Sequence, residues 1–187
     1  MLRTAITGNI ASGKSQAEKI LSDMGYPVYD TDKIAHDVLD EITDFYGYDV
    51  FTEGKIDRKK LGDLVFANPD LKQKLEKIVH PKVKEKIMEI FTRHFADKYI
   101  FVSVPLLYEA GFEDLFDKVI MITVEPHIQL ERLMRRNNFT EDEALRRINS
   151  QIPQEEKIKK ADIVISNNGT FEDLKTELIR VVQSRLS

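Results

Sequence analysis

Residues 2–15 read LRTAITGNIASGKS, and this stretch decides the fold. Its second half follows the pattern G-x-x-x-x-G-K-S, the signature of a phosphate-binding P-loop. The apolar run at residues 2–7 predicts a buried strand, and residues 16–24 place apolar side chains on one helical face. The motif therefore lies between a strand and a helix, as a P-loop requires. The alternative is a chance glycine-rich turn, and the agreement of strand, loop, lysine, serine and helix counts against it.

The residue types of the motif define its chemistry. Gly8 and Gly13 lack a Cβ atom, so the backbone can curl tightly and approach a ligand closely. The N–H groups of such a loop form a nest for an anion at the positive end of the following helix. Lys14 can reach the β- and γ-phosphates, and Ser15 offers a hydroxyl group to Mg²⁺. The motif predicts binding of a nucleoside triphosphate with magnesium through Gly8, Asn9, Ile10, Ala11, Ser12, Gly13, Lys14, Ser15 and Gln16.

The composition is typical of a soluble globular protein. Hydrophobic residues make up 42% of the 187 residues and charged residues 32%, and this length suits one α/β domain with small insertions. The net charge of −4, without a basic tail, argues against a broad nucleic-acid-binding surface. Because there is no cysteine, disulfides and cysteine-ligated metals are excluded. We see neither a signal peptide nor a membrane-spanning run, and expect a cytoplasmic protein with no membrane partner.

Five short apolar stretches alternate with helical patterns along the chain. They lie at residues 2–7, 26–29, 99–104, 119–124 and 162–165. The alternation predicts an α/β fold, a five-stranded parallel sheet with helices on both faces. Residues 41–97 predict a helical insert with helices at 58–67 and 71–94. Asn68-Pro69 marks a helix start before the second, with Asn68 as the cap and Pro69 at the first position, and Pro81 should break or kink that helix. The predicted organisation is one domain, with a core at 1–40, 98–134 and 161–187, the insert at 41–97 and a lid at 135–160.

An acidic pair, Asp30 and Asp32, follows the second predicted strand. In parallel sheets, ligands bind at the carboxyl ends of strands, where the P-loop also lies. The strand at 99–104 ends without a carboxylate, so the contact to Mg²⁺ or the general base must come from elsewhere, and this pair is the nearest candidate. The alternative is that Asp30 or Thr31 caps the next helix. Function is the stronger interpretation for Asp32, and the two are balanced for Asp30.

Five arginines flank the polar turn at residues 137–140: Arg132, Arg135, Arg136, Arg146 and Arg147. The turn ends in Thr140-x-x-Glu143, a capping box that predicts a new helix from about Glu141. Basic side chains on two helical arms suit a mobile lid that closes on a triphosphate and neutralises charge on the transferring group. A solvated charged face is the alternative. We favour function for Arg136, and less strongly for Arg132 and Arg147, whereas Arg135 and Arg146 could equally be surface residues.

Three residues outside these groups are weaker candidates. Arg58, within the predicted insert, could hold a substrate phosphate. His80 precedes Pro81, and a lone histidine there is more often a capping or packed residue. His36 lies one helical turn after Asp32 and could assist the same site or be structural.

Together these residues resemble the dephospho-coenzyme A kinase family, nearly from end to end. The most specific blocks are P-L-L-x-E at 105–109, H-P at 80–81, and R-x-x-x-R at 132–136 followed by R-I-x-x-Q at 147–151. The resemblance implies ATP-dependent phosphorylation of the ribose 3′-hydroxyl of dephospho-coenzyme A, the last step of coenzyme A biosynthesis. It also implies a fold similar to that of nucleoside monophosphate kinases, with a five-stranded core, a helical substrate domain and a lid.

The resemblance also implies roles for single residues. Gly8 to Ser15 would hold the ATP phosphates, with Lys14, Asp32, Arg136 and Arg147 as catalytic residues and Asp32 as the base. Asn167 would lie near the adenine. The expected substrate-binding residues are Asp30, Asp32, His36, Arg58, His80, Leu106 and Glu109. Asn137-Asn138 replaces the usual Asp-Gly of the lid turn, and asparagine tolerates the left-handed backbone that such a turn needs.

Other functions stay open at this point. One is a kinase for another small substrate, such as a nucleoside monophosphate. Another is a P-loop protein that senses a nucleotide without turnover, although the intact Lys14, Ser15 and Asp32 count against it. The expected partners are ATP, Mg²⁺ and dephospho-coenzyme A, with no nucleic acid, and the expected assembly is a monomer or weak homo-oligomer.

Overall fold

The computed structural model describes residues 1–40, 50–52, 55–184 and 186. The chain divides into two compact units, one formed by Met1–Asp30 and His94–Ser187, the other by Thr31–Arg93. Among the residues that the structure describes, none of the helices has the length and apolar character needed to cross a membrane.

The helices and strands alternate for most of the chain. In order they are β1 (Leu2–Thr7), α1 (Lys14–Asp23), β2 (Val28–Asp30), α2 (Thr31–Asp40), β3 (Phe51–Thr52), β4 (Lys55–Ile56), α3 (Arg58–Ala67), α4 (Pro69–Arg93), β5 (Tyr99–Ser103), β6 (Lys118–Thr123), α5 (Pro126–Asn137), α6 (Glu141–Asn149), α7 (Gln154–Ile158), β7 (Ile163–Ser166) and α8 (Phe171–Ser184).

The first unit is built on a five-stranded sheet in the order β2-β5-β1-β6-β7. Every neighbouring pair is parallel, so the predicted five-stranded parallel sheet is confirmed. All five residues of β5 are buried, as expected for a strand that is covered on both faces. The middle strand is β1, and its carboxyl end opens into the glycine-rich loop. The sheet thus places this loop at the centre of its edge.

The helices of the first unit cover the sheet with regularly spaced apolar side chains. In α1 the buried residues are Ala17, Ile20 and Leu21, and the helix packs with α8. Strand β2 begins at Val28, two residues later than predicted. Tyr26 donates its N–H to Leu21 O, in the turn that ends α1, and is therefore not available to the sheet.

The second unit contains α2, a two-stranded antiparallel hairpin of β3 and β4, and the helices α3 and α4. Side-chain oxygens cap both later helices. Asp57 Oδ1 accepts from the N–H groups of Lys59 and Lys60 at 3.0 and 3.1 Å, and Asn68 Oδ1 accepts from those of the first turn of α4. The predicted start of α4 at Asn68-Pro69 is confirmed, whereas the hairpin was not predicted.

Helix α4 runs for 25 residues with Pro81 inside it, so the helix is not broken there, and the alternative of a kink stays a prediction. Proline removes one backbone hydrogen bond from a helix interior. Val79, Val83 and Ile87 are buried on both sides of it, and their packing continues through the proline and offsets that loss.

The limits of the second unit, 31 and 93, differ from the predicted limits of the insert, 41 and 97. The difference comes mainly from α2, which we expected in the core. Ile34 and Val38 are buried, and α2 packs with α4. Residues 41–49, where the insert was predicted to begin, lie outside the described residues.

Candidate nucleotide-binding site

The glycine-rich loop between β1 and α1 needs glycine at two positions. A Cβ atom on Gly8 would lie 2.5 Å from Ile122 O and 2.5 Å from Ser12 Oγ, far inside van der Waals contact. Gly13 has a φ of 101°, and a Cβ atom there would collide with the side-chain amide of Asn167. Both glycines of the motif are therefore required by the geometry of the loop.

The loop leads directly into the amino end of α1. Lys14 is the first residue of the helix, and its Nζ donates to Gly8 O at 2.8 Å, so the side chain folds back across the loop. The first turn of α1 contains no acidic residue, and its N-cap, Gly13, provides no side-chain hydrogen bond. An anion at this point is therefore stabilised by the N–H groups and the positive end of the helix.

A cavity of about 480 Å³ lies beside the loop. Its lining residues are Ala11, Gly13, Lys14, Ser15, Gln16, Arg132, Arg135 and Arg136. Four of these eight residues are cationic, and among the described residues that line the cavity none is acidic. The volume is in the range of sites for small ligands, and the cationic lining favours an anionic ligand.

The arginines differ in how they are held. Arg132 Nη1 donates to Asn167 O at 2.9 Å, and Arg136 Nε donates to Asn137 Oδ1 at 2.8 Å. Arg135, which we considered equally a surface residue, also lines the cavity. Arg147 is not among the lining residues, and its guanidinium lies over the ring of Phe139, 5.9 Å from the centroid. The structure thus brings three of the five arginines to the cavity.

The turn between α5 and α6 forms as expected. Asn138 is left-handed, with a φ of 54°, and its N–H bonds back to Met134 O. The predicted capping box is confirmed, because Glu143 N donates to Thr140 Oγ1 at 3.3 Å while Thr140 N donates to Glu143 Oε2 at 2.8 Å. The hydrogen bonds that the Glu143 carboxylate accepts from Thr140 N and Thr140 Oγ1 lower the pKa of Glu143 below its usual value.

Three side-chain amides hold the outer half of the loop: those of Gln129 and Gln151, which we did not predict as functional, and that of Asn9, a predicted residue of the loop. Gln151 Oε1 accepts from Ile10 N at 2.7 Å, and Gln129 Nε2 donates to Ile10 O at 2.8 Å. Asn9 Nδ2 donates to Ile152 O at 3.0 Å. Two sequence features could have identified the glutamines: Gln129 lies within the apolar stripe of α5, and Gln151 is the last residue of the block at 147–151.

Asn167 supports the loop from the other side. It is 2% exposed, and its Nδ2 donates to Ser12 O at 2.8 Å and to Gln16 Oε1 at 3.2 Å. It is not among the residues that line the cavity. Its predicted place near the adenine stays a prediction, and the observed contacts give it a part in shaping the loop.

Glu109, an expected substrate ligand, is engaged by a buried lysine. Lys157 is 0% exposed, and its Nζ lies 2.6 Å from Glu109 Oε1, as an ion pair rather than a well-directed hydrogen bond. The same carboxylate oxygen accepts from Ile152 N at 3.2 Å. Leu106, in the same block, is 48% exposed. Burial raises the pKa of the intervening Tyr108 to about 12, so this phenol is neutral.

The remaining candidates lie mostly in the second unit. Asp32, in the first turn of α2, and His36, one turn later, are exposed on the same helix. His80 lies in α4, and burial lowers its pKa, which favours the neutral imidazole. Arg58 is the first residue of α3, and its side chain lies outside the described part of the chain. Asp30 ends β2, opposite Ser103 of β5 in the first unit.

Comparisons with known proteins point to one family. The family model described as dephospho-CoA kinase matches residues 2–173. A dephospho-CoA kinase of Bacillus thuringiensis subsp. konkukian is 42% identical over 189 residues, covering 95% of this chain and 94% of the relative. One of Carboxydothermus hydrogenoformans is 40% identical over 190 residues, covering 95% and 91%.

Solved structures show the same fold. The dephospho-CoA kinase from Campylobacter jejuni superposes with a TM-score of 0.77 and 36% identity, covering 98% of this chain and 96% of that one. Shikimate kinase from Aquifex aeolicus, at 15% identity, has a TM-score of 0.58 with 98% of both chains covered, and it supports the P-loop kinase fold alone. From the family model and these relatives, the chain belongs to the dephospho-CoA kinase family.

Proposed function

We propose that this kinase transfers the γ-phosphoryl group of ATP, bound with Mg²⁺ in the cavity beside the P-loop, to the ribose 3′-hydroxyl of dephospho-coenzyme A. The family performs the final step of coenzyme A biosynthesis, with ATP as the co-substrate. The single observation that carries the proposal is the cationic cavity at the amino end of α1. Its lining combines the loop, Lys14 and three arginines.

The loop and the cationic side chains have different roles towards the triphosphate. Backbone N–H groups at the start of α1 bind the phosphates, and Lys14 exchanges its bond to Gly8 O for a phosphate oxygen. Arg132 and Arg136 neutralise the charge that develops on the transferring group. Arg147 joins them only if the lid rearranges, because its guanidinium is now over Phe139.

The residues of the cavity fit a magnesium ion that arrives with the nucleotide. Mg²⁺ prefers oxygen ligands and is usually held by one or two protein groups together with phosphates and water. The Ser15 hydroxyl in the cavity lining is such a group. In the described part of the chain, no cluster of three His, Asp or Glu side chains could hold a metal ion alone. When bound, the ion would neutralise charge between the β- and γ-phosphates.

In the proposed reaction Asp32 acts as the general base. The 3′-oxygen attacks the γ-phosphorus, the bond to the β,γ-bridging oxygen breaks, and ADP leaves. The hydroxyl proton passes to the Asp32 carboxylate. An exposed carboxylate in the first turn of α2 supports the assignment. We further propose that Asp30, His36, Arg58, His80, Leu106 and Glu109 contribute to acceptor binding.

The test is acceptor-dependent release of ADP from ATP and Mg²⁺, with dephospho-coenzyme A, AMP or adenosine as acceptor. We expect dephospho-coenzyme A to be the only one of the three acceptors that supports turnover, and ³¹P NMR should show a 3′-phosphate in the product. Lys14→Ala should abolish turnover, and Asp32→Asn should lower kcat by about 10²–10⁴-fold, the usual range for a general base. Turnover with AMP instead would refute the acceptor, and near-normal turnover of Asp32→Asn would remove Asp32 as the base.

For assembly and location we propose a monomer or weak homo-oligomer in the cytoplasm that binds no nucleic acid. The net charge of −4 supports the last point. Light scattering after size exclusion tests the assembly, and a mass of a stable dimer or larger oligomer across dilution would contradict it.

A further inference from the structure

Both backbone polar groups of one P-loop residue are held by glutamine side chains. Ile10 donates its N–H to Gln151 Oε1 at 2.7 Å and accepts at its carbonyl from Gln129 Nε2 at 2.8 Å. The partners fix the orientation of both amides, since an N–H requires the oxygen of Gln151 and a carbonyl requires the nitrogen of Gln129. Neighbouring Asn9 adds a third contact through Nδ2 to Ile152 O, at 3.0 Å.

The two glutamines come from the same part of the chain as the arginines of the cavity. Gln129 lies on α5, where it is 6% exposed, one turn before Arg132. Gln151 follows α6, the helix that carries Arg147. The segment at Gln151 is fixed in turn, because Ile152 N donates to Glu109, whose carboxylate is paired with the buried Lys157.

This arrangement matters because the loop has an unusual backbone before any phosphate is bound. Ala11, the residue after Ile10, has a φ of 61°, which is uncommon for a residue other than glycine. Fixing Ile10 from both sides limits the conformations of the outer half of the loop. A loop that is already ordered loses less conformational entropy when it closes around a triphosphate.

We propose that Gln129 and Gln151 are positioning residues that hold the P-loop at Ile10 in its phosphate-binding shape, and that they set affinity for the nucleotide rather than for the acceptor. The inference rests on the proposed binding of ATP at this loop. It assigns a role to the final glutamine of the block at 147–151, which the reaction itself does not use.

The opposite polarity of the two amides allows a matched test. Gln151→Glu keeps an acceptor for Ile10 N, whereas Gln129→Glu places a carboxylate against Ile10 O and removes the donor. Both substitutions add the same charge to the same loop, so the difference between them reports the hydrogen bond. We expect Gln129→Glu at pH 8 to raise the Kd for ADP and the KM for ATP at least about tenfold more than Gln151→Glu does. Position 129 is buried, and burial raises the pKa of an introduced carboxyl group. As the pH is lowered from 8 towards 5, its protonation should restore a donor, and part of the affinity should return.

Gln154 provides the structural control. It contacts the backbone of Val124 in the same way, with Val124 N donating to Oε1 at 3.0 Å and Nε2 donating to Val124 O at 3.2 Å. Gln154→Met should lower the melting temperature while the KM for ATP stays within about twofold. Gln129→Met and Gln151→Met should raise that KM, with the KM for dephospho-coenzyme A within about twofold of wild type.

The outcomes separate the inference from the proposed function. If the wild-type protein binds ADP, and the two glutamate variants lose affinity equally, the inference is refuted while the proposed function stands. The inference is also refuted if the Gln129 and Gln151 variants raise the KM for dephospho-coenzyme A and leave the KM for ATP unchanged. If the wild type binds no nucleotide, the proposed function fails first. Should a Gln129 variant not fold, the Gln151→Met and Gln151→Glu pair decides, because only the latter keeps the acceptor.

Discussion

Removing one partner of the buried Glu109–Lys157 pair should destabilise the protein unequally, depending on which partner is removed. Lys157 is 0% exposed, whereas the side chain of Glu109 is 21% exposed and also accepts from Ile152 N. In Glu109→Gln the buried ammonium group loses its counter-charge and cannot reach water. In Lys157→Met the remaining carboxylate keeps Ile152 N–H and partial hydration. The first change should therefore cost more than the second.

The structure sets the scale of the difference. An uncompensated buried charge costs about 3–5 kcal/mol, whereas loss of a contact that leaves a partly hydrated carboxylate should cost less than about 2 kcal/mol. For chains of this size 1 kcal/mol corresponds to about 2–4 °C in Tm. Glu109→Gln should accordingly lower the Tm by about 6–20 °C. The double variant Glu109→Gln/Lys157→Met should be more stable than Glu109→Gln alone.

The assay is urea unfolding followed by circular dichroism and by tyrosine fluorescence, with agreement between the two probes as the test of two-state behaviour. The reasoning is refuted if Lys157→Met is as destabilising as Glu109→Gln, or if the double variant is the least stable of the three. Kinetics on the folded fraction then separate the two roles of Glu109. A rise in the KM for dephospho-coenzyme A in Glu109→Gln but not in Lys157→Met would support acceptor binding by the carboxylate.

Two further predictions concern backbone geometry and pH. Gly13→Ala should lower the free energy of unfolding by about 1–3 kcal/mol because of the left-handed backbone at this position, and it should weaken nucleotide binding because the new Cβ collides with Asn167. Gly25 has a φ of 86° and nothing within 4 Å of a Cβ atom, so Gly25→Ala should lower stability without changing nucleotide affinity. Denaturant titration with ADP binding checks both, and equal loss of affinity in the two variants would contradict the prediction. Hydrogen bonds from Arg3 hold the pKa of Asp117 below its ordinary 3.8. Stability from this carboxylate is then complete above about pH 4 and is lost as the pH falls through the lowered pKa. In Asp117→Asn the free energy of unfolding should therefore depend less on pH below 4, and an unchanged slope would refute the assignment.

The sequence predicted those parts of the fold that depend on local patterns. The five strands and the P-loop were recognisable because apolar runs and glycine positions are properties of short segments. The capping box at Thr140 and the start of α4 at Asn68 have the same local origin. The continuity of α4 through Pro81 was not predictable in this way, since packing on both sides of the proline decides it.

The cationic residues of the site were predictable from the sequence, whereas the side chains that hold the loop in place were not. Lys14 and the arginines follow from the motif and from helical spacing, and the cavity brings Arg132 and Arg136 to the loop. The contacts of Ile10 join residues 119 and 141 positions away in sequence. A pattern in a short window cannot show such contacts, because they exist only after the sheet has placed α5 and the segment after α6 beside the loop.

The side chains that hold the loop at Ile10 and at Ser12 are uncharged, and the negative charge of the expected ligand explains why. The groups that hold the loop at Ile10 and at Ser12 are neutral amides, those of Gln129, Gln151 and Asn167. A carboxylate could accept from Ile10 N equally well, but it would place a negative charge beside a site that must attract a triphosphate. A cation bonded to a loop carbonyl would be drawn towards the phosphates, which are stronger acceptors. Neutral amides supply both a donor and an acceptor without altering the field of the cavity. The charge that acts on the nucleotide thereby comes from Lys14 and the arginines, while the amide contacts that hold the loop at Ile10 and at Ser12 add none.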